Sequence, residues 1–300
     1  MRTVYLGTSD YAATVLRRLA GSVHRPTLAV SPPDRPRGRG RRVGSPPVAV
    51  AARELGIDVV QTEASENLDV LERIRATQPD VGVVCAFGQL IREPLLTELE
   101  LLNVHPSLLP RWRGAAPIER AIIAGDAETG VSIMRVTEGL DSGPLALQEA
   151  CPIGAADYGE VSERLAELGG ALVVRALDLR AGAALEFDRQ DEAAVTYAEK
   201  LDPSERRLDS ARRAVELERV VRALHPHIGA HLELAGGQRL GVARAAVEDG
   251  ELEQGELDAE DGLRLGCAQG VLRLLTLRPA GKREMDADAY LRGHPAPRLA

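Results

Sequence analysis

Apolar residues recur along the first two thirds of the chain in two rhythms, short continuous runs and longer stretches with a helical period. Val4–Leu6 is a brief apolar run. Gly7-Thr8-Ser9-Asp10 and an amphipathic stretch to Ala20 follow it, which predicts strand, turn and capped helix. Thr27–Val30, Asp58–Gln61, Val81–Phe87 and Leu101–Val104 read as further strands. Between them, Ser45-Pro46 predicts an N-cap with proline at N1 for a helix through Leu55, and Leu68–Ala76 and Glu93–Leu99 carry helical pattern. Strands alternating with helices predict an α/β fold, a mostly parallel Rossmann-like sheet with helices on both faces. A helix from near Ala116 ends at Gly125-Asp126. Val131–Arg135 and Pro144–Ala150 then read as strands around a Glu138–Gly143 loop, and Ser162–Ala181 as the helix that closes the domain.

Past that helix the texture changes. Residues 182–207 are weakly periodic and read as a linker, and Leu217–Leu224 is helical. Ala230–Leu234, Arg239–Val247, Gly262–Cys267 and Gly270–Leu277 are short alternating runs between Gly-rich turns, the pattern of a small β domain, barrel-like by strand spacing. The expected division is 1–181, a linker at 182–207, and 208–300.

Composition narrows the class. At 300 residues, 44% hydrophobic and 27% charged, the chain reads as globular, with no run near the roughly 18 apolar residues of a membrane span. The N-terminus shows no basic region followed by a long apolar one, so no secretory signal is expected. Cys85, Cys151 and Cys267 are far apart and odd in number, which fits neither a disulfide framework nor a zinc site and points to a reduced, cytoplasmic setting. The net charge of −8 is uneven: residues 1–48 hold nine Arg against two acids, 49–205 hold 28 acids against 13 bases, and 206–300 hold 15 of each. A local basic patch can still meet a polyanion.

The candidate chemistry sits in Asn103-Val104-His105-Pro106-Ser107-Leu108-Leu109-Pro110 and in Glu138-Gly139-Leu140-Asp141-Ser142-Gly143. Asn103 and His105 are two apart, so on a strand both project to one side. The strand should end at a loop, where open α/β sheets place their ligands. An amide donor, a titratable base and a carboxylate suit acyl transfer to an amine, although each residue alone is more often structural. The turn after the first strand is not G-x-G-x-x-G and no P-loop occurs, so a nicotinamide or nucleoside triphosphate cofactor is not expected. Asp34-Arg35-Pro36-Arg37-Gly38-Arg39-Gly40-Arg41-Arg42 puts five arginines in nine residues; Pro and Gly preclude a regular helix, leaving a mobile loop. It is either solvated charge or a phosphate-binding loop.

The run from Asn103 through Arg113-Gly-Ala-Ala-Pro117 resembles the motif of formyltransferases that use 10-formyltetrahydrofolate. The Arg-Gly-Ala-Ala-Pro continuation resembles the methionyl-tRNA formyltransferase family in particular. So do residues 124–131, the Pro33–Gly40 arginine segment, Val195-Thr-Tyr-Ala-Glu-Lys-Leu201 and Leu277-Arg-Pro-Ala-Gly-Lys282. The similarity runs nearly the full length, in order. Pro106 does not discriminate, because His-Pro-Ser-Leu-Leu-Pro is also common in the purine-pathway formyltransferase. Residues 224–229, with His225 and His227, replace a more aromatic version seen in some relatives.

The resemblance implies that Asn103, His105 and Asp141 are catalytic, that no metal is needed, and that the β domain is OB-like. It implies a folate seated against Cys85, Ala86, Phe87, Gly88, Gln89 and Leu90, against Ser107, Leu108, Leu109 and Pro110, and against Gly139 and Leu140. It further implies an initiator methionyl-tRNA whose acceptor stem meets Arg35, Arg37, Arg39, Arg41 and Arg42, with Lys200, Arg278, Lys282 and Arg283 as further phosphate contacts. On that basis the neutral α-amine of methionine attacks the formyl carbon, and Asn103 and a protonated His105 stabilise the oxyanion. Asp141 either orients His105 and keeps it charged, or relays a proton from the amine to the leaving nitrogen. The rivals are formyl transfer to a small amine, such as a sugar nucleotide or glycinamide ribonucleotide, and a silent RNA-binding module on the same scaffold. A monomer with no membrane contact is expected.

Overall fold

A computed structural model describes residues 1–37 and 42–299. Its order begins β1 (Thr3–Gly7), α1 (Asp10–Ala20), β2 (Pro26–Ser31), β3 (Arg35–Arg37), β4 (Arg42–Gly44), α2 (Pro47–Glu54), β5 (Asp58–Gln61), α3 (Leu68–Ala76) and β6 (Val81–Cys85). Next come α4 (Leu95–Glu98), β7 (Leu101–His105), β8 (Arg113–Gly114), α5 (Pro117–Ala124), β9 (Glu128–Arg135), β10 (Leu145–Pro152), α6 (Tyr158–Ala181) and β11 (Tyr197–Ala198). The chain divides into two compact units. The first takes Met1–Pro117, Glu128–Pro152 and Ser162–Ala198; the second takes Ile118–Ala127, Ile153–Val161 and Glu199–Ala300.

The first unit is built on a seven-stranded sheet in the order β10-β9-β7-β6-β1-β2-β5. The pairs β1–β2, β1–β6, β2–β5 and β6–β7 are parallel, whereas β9 runs antiparallel to β7 and β10 antiparallel to β9. The chain winds outward from β1 in both directions, so the switch point lies between β1 and β6. Thr8 Oγ1 ties the two strand ends there by donating to the Phe87 carbonyl at 2.6 Å. On one face Val4, Leu6, Val30, Val84 and Leu101 pack with Val70, Leu71 and Ile74 of α3. On the other, Val104 meets α6 so closely that a Cβ at Gly169 would lie 2.8 Å from Val104 Cγ1, which requires glycine there. Ser9 caps α1 through the Ala12 N–H, as its position before the amphipathic stretch predicts.

Two details depart from the sequence pattern. The helix expected from Ser45-Pro46 starts one residue later with Pro46 as its N-cap, and the Ser45 hydroxyl accepts from Arg53 instead. The arginine-rich stretch, read as a mobile loop, has arms that pair as the antiparallel ribbon β3–β4, Arg35 opposite Gly44 and Arg37 opposite Arg42. Extended residues on both sides satisfy one another's backbone groups, which a Pro- and Gly-rich composition does not reveal. Arg39 and Arg41 lie outside the described residues.

The second unit adds α7 (Ala214–Leu224), β12 (Ala230–Leu234), β13 (Gln238–Glu248), β14 (Leu257–Asp258), β15 (Leu263–Gly266), β16 (Val271–Arg278), β17 (Met285–Asp286) and α8 (Ala287–Gly293). The strands form one antiparallel sheet, β12-β13-β16-β15-β14, with β17 beside β16. The pairing of β13 with β16 slips on both sides of Arg244. Such bulges bend a long strand and curl the sheet into an OB-like half-barrel. Leu217, Val220, Val221 and Leu224 of α7 fill its concave side against Leu232, Leu240, Leu265 and Leu274.

Candidate active site

β7 carries alternating fates. Leu102 and Val104 are fully buried, while Asn103 and His105 share the opposite face. The loop after β9 leaves beside the start of β7, where the Val136 N–H donates to the Leu101 carbonyl at 2.8 Å. It then folds back over that face and brings Asp141 to both side chains. Asn103 and His105 thus lie on one face at the C-terminal end of β7, as their spacing predicts.

Asp141 is the hub. Its Oδ1 accepts from Asn103 Nδ2 at 3.5 Å and its Oδ2 from the Gly114 N–H at 2.9 Å. His105 Nδ1 lies 3.7 Å from Oδ2, close enough for charge attraction and too far for a hydrogen bond. His105 Nε2 is 3.0 Å from the Trp112 carbonyl. A carbonyl only accepts, so Nε2 carries the proton and Nδ1 is the nitrogen turned toward Asp141. His105 is 4% exposed, so its imidazole is almost wholly shielded from solvent.

The backbone here is held in unusual conformations. Asp141 has φ 45°, Trp112 65° and Ala86 42°, all left-handed for non-glycine residues. Gly114, at φ 127°, packs so that an added Cβ would lie 2.7 Å from the Ala198 carbonyl oxygen. β8 pairs in parallel with β11 at this point, Arg113 opposite Tyr197 and Gly114 opposite Ala198.

The residues expected around the folate divide by role. Cys85 is fully buried, and its thiol, pushed up to about 12 by burial, hydrogen-bonds with Tyr5, so its side chain is closed to a ligand. Phe87 is buried in the sheet core. Ala86, Gly88 and Leu90 are exposed, Leu90 and Leu140 at 61% and 63%. A cleft of about 350 Å³ is lined by Gly88, Gln89 and Leu90 together with Pro32, Arg35 and Arg92. Gln89 Nε2 donates to the Thr62 carbonyl at 2.7 Å, while its Oε1 is buried without a partner among the described residues. The exposed backbone of Ala86 and Gly88 beside the apolar side chain of Leu90 would suit the polar edge and ring face of a pterin. In the other segment the Ser107 hydroxyl is committed to the Arg111 carbonyl at 2.7 Å. Leu109 is buried, its N–H donating to Ser132 Oγ and its carbonyl accepting from Gln148.

Of the expected tRNA contacts, Arg35 is exposed and lies 3.6 Å from Glu63. Lys200, Arg278, Lys282 and Arg283 are exposed in the second unit, with Arg278 3.4 Å from Glu284. His225 and His227 are engaged with carboxylates: His225 Nδ1 is 2.8 Å from Asp157, and His227 Nε2 is 3.0 Å from Glu119 with its ring stacked on Tyr158. No group of three metal-ligating side chains occurs among the described residues. No helix among them is long and apolar enough to cross a membrane.

A mostly parallel open sheet with an amide and an imidazole on one strand face and a carboxylate brought to them by a loop, followed by a half-barrel, is the plan of a Rossmann-like one-carbon transferase. Residues 1–177 match the model of the formyl transferase family, and residues 200–295 that of the formyl transferase C-terminal domain. The chain is 41% identical over 299 residues to the methionyl-tRNA formyltransferase of Methylococcus capsulatus, covering 98% of this chain and 97% of that one. It is 43% identical over 298 residues to that of Halorhodospira halophila, covering 97% and 96%. It belongs to the methionyl-tRNA formyltransferase family. Among solved structures, HypX from Aquifex aeolicus in complex with tetrahydrofolic acid is similar at TM-score 0.66 and 18% identity. That likeness covers 97% of this chain and 47% of HypX, so the chain spans about half its length. WlaRD, a sugar 3N-formyl transferase, is similar at TM-score 0.67 and 13% identity, over 94% of this chain and 99% of that one. These two likenesses are of fold.

Proposed function

We propose that the chain transfers the formyl group of 10-formyltetrahydrofolate to the α-amine of methionine on initiator methionyl-tRNA. The observation that carries the reading is the convergence of Asn103, His105 and Gly114 on Asp141. The folate supplies a formyl group on a nitrogen that can leave. The chain's own groups do the rest. Asp141 accepts the proton released as the neutral amine attacks. Asn103 Nδ2 donates to the formyl oxygen as negative charge develops there. Asp141 then passes that proton to the folate nitrogen as the bond from this nitrogen to the formyl carbon breaks, while His105, its Nε2–H held by the Trp112 carbonyl, faces the carboxylate through Nδ1. Ala86, Gly88, Gln89, Leu90, Gly139 and Leu140 would hold the folate.

Arg35 and the rest of the arginine segment, with Lys200, Arg278, Lys282 and Arg283, would meet the phosphates of the acceptor stem, a role a small amine substrate would not require. All three catalytic groups come from one unit of one chain, which supports action as a monomer, and the named relatives support a place in cytoplasmic translation.

The test is incubation with 10-formyltetrahydrofolate and either charged initiator tRNA or small amines, followed by detection of formyl-methionine and tetrahydrofolate. Asp141→Ala and Asn103→Ala should each lower kcat by about 10²–10⁴ with tRNA affinity almost unchanged. Turnover of small amines alone, or wild-type kcat in either variant, contradicts the assignment.

A further inference from the structure

The Asp141 loop has well-anchored ends: Arg135 N–H donates to the Pro144 carbonyl at 2.9 Å and Val136 N–H to the Leu101 carbonyl. Its middle is different. Asp141 sits at φ 45°, a conformation that relaxes unless the surroundings over-determine it. The side chain of Gln190 lies against that middle. Its Nε2 donates to the Asp141 carbonyl at 2.9 Å and to the Gly143 carbonyl at 2.7 Å, bracketing the strained turn. Both protons of the amide are spent, and so is its oxygen: Gln190 Oε1 accepts from Arg113 Nε at 2.9 Å. Arg113 is buried, and its remaining guanidinium nitrogens reach Glu192 at 2.8 and 3.3 Å. That pairing holds the Glu192 carboxyl below its ordinary range.

The same short segment steadies the other catalytic group. The Trp112 N–H donates to Thr196 Oγ1 at 2.9 Å and the Arg113 N–H to the Thr196 carbonyl at 2.9 Å. Trp112 is the residue whose carbonyl fixes His105. Residues 190–196 therefore brace the Asp141 loop from one side and the His105 anchor from the other.

We propose that Gln190, orientated by Arg113, is a positioning residue that sets the Asp141 carboxylate for catalysis. The proposal rests on the catalytic reading of Asp141. Gln190 touches no reacting atom. It acts by fixing the two carbonyls between which the Asp141–Ser142–Gly143 turn is strung, and a carboxylate displaced by a fraction of an ångström loses proton-transfer geometry without losing substrate affinity.

Two variants separate positioning from folding. Gln190→Met removes every hydrogen bond at similar length. Gln190→Glu keeps the acceptor for Arg113 and, when ionised, loses both donors to the loop. In steady-state formylation of methionyl-tRNA by the full chain, Gln190→Glu should lower kcat by about tenfold or more, with KM for folate and for tRNA within about twofold. The single tryptophan, Trp112, gives an emission spectrum that should stay at its parent position if the fold is intact. Combined with Asp141→Asn, Gln190→Glu should produce no further loss, because both changes act on one group. Parent-level kcat in Gln190→Glu, or full multiplication of the two losses in the double variant, overturns the proposal while leaving Asp141 catalytic. Parent-level turnover in Asp141→Asn overturns the reading beneath it, and the proposal with it.

Discussion

Gly114→Ala tests how tightly backbone geometry governs this site. Gly114 has φ 127°, where an L side chain costs about 1–2 kcal/mol. Its new Cβ would lie 2.7 Å from the Ala198 carbonyl oxygen, and ordinary contact begins at 3.4 Å, so β8 and β11 must part. They cannot part freely, because the same oxygen accepts from Ala115 at 2.8 Å and Ala116 at 3.2 Å. Weakening those two bonds adds about 1–2 kcal/mol, for a total of about 2–4. In a unit of this size that lowers Tm by roughly 5–15 °C. The movement also draws the Gly114 N–H from Asp141 Oδ2, now 2.9 Å away, and a shift of several tenths of an ångström should reduce kcat by about tenfold to a hundredfold. Gly56→Ala is the control: φ is +68° and nothing lies within 4 Å of the added Cβ. It should carry only the conformational cost, about 1 kcal/mol, with parent kcat. Thermal melts and initial rates on both variants decide the matter. If Gly114→Ala matches Gly56→Ala in Tm and in kcat, the close packing of β8 on β11 does not govern Asp141.

Two further outcomes follow from buried titratable groups. Burial pushes the Cys85 thiol up to about 12 and the Cys267 thiol up to about 11, so neither should alkylate in the native protein at pH 8, and both should react once it is unfolded. Peptide mapping after an iodoacetamide pulse reads this, and native labelling of Cys85 at the rate of an exposed thiol refutes it. His231 is held below its ordinary value by burial and by the charges of Arg239 and Arg206. Its folded pKa is the lower one, so the unfolded chain binds more protons on the acid side. Its contribution to stability is present above about pH 6.5 and lost as pH falls through the folded pKa. Urea melts of His231→Gln should fall less between pH 7 and pH 5 than those of the parent, and parallel slopes would count against it.

How much of this was legible in the sequence depends on whether the signal was local. Asp58–Gln61 and Leu68–Ala76 are observed as predicted, because the second has its own start signal in Asn67, which caps Asp69 at 3.0 Å. The strand expected over Val81–Phe87 stops at Cys85, because Ala86 turns to φ 42° and no residue-type preference announces a left-handed alanine. The long helix begins at Tyr158, four residues before the apolar period is evident. Its start is fixed by a reciprocal pair, the Asp157 N–H to Glu160 at 3.0 Å and the Glu160 N–H to Asp157 at 3.0 Å. That Asp-x-x-Glu pattern is a helix-start signal carried by the sequence itself.

The catalytic candidates were visible because β7 spaces Asn103 and His105 by two, so that a strand alone puts them on one face. Their supports were not visible. Gln190 serves Asp141 from 49 residues away and Thr196 serves Trp112 from 84, both from a stretch whose weak periodicity suggested only a connection. The weakness has a physical reason. A side chain in a helix or strand is directed by the period of its element toward core or solvent, whereas donors that must meet two carbonyls of a strained turn need a backbone free of that period. An irregular segment can supply them. The resulting site leaves capacity at its hub: a carboxylate offers about four lone-pair positions, and the Asn103 amide and Gly114 N–H occupy one on each oxygen of Asp141. His105 Nδ1 lies 3.7 Å from Oδ2, and the capacity left over is what the proposed role requires, since the carboxylate would receive a proton from an incoming amine without giving up the contacts that hold it in place.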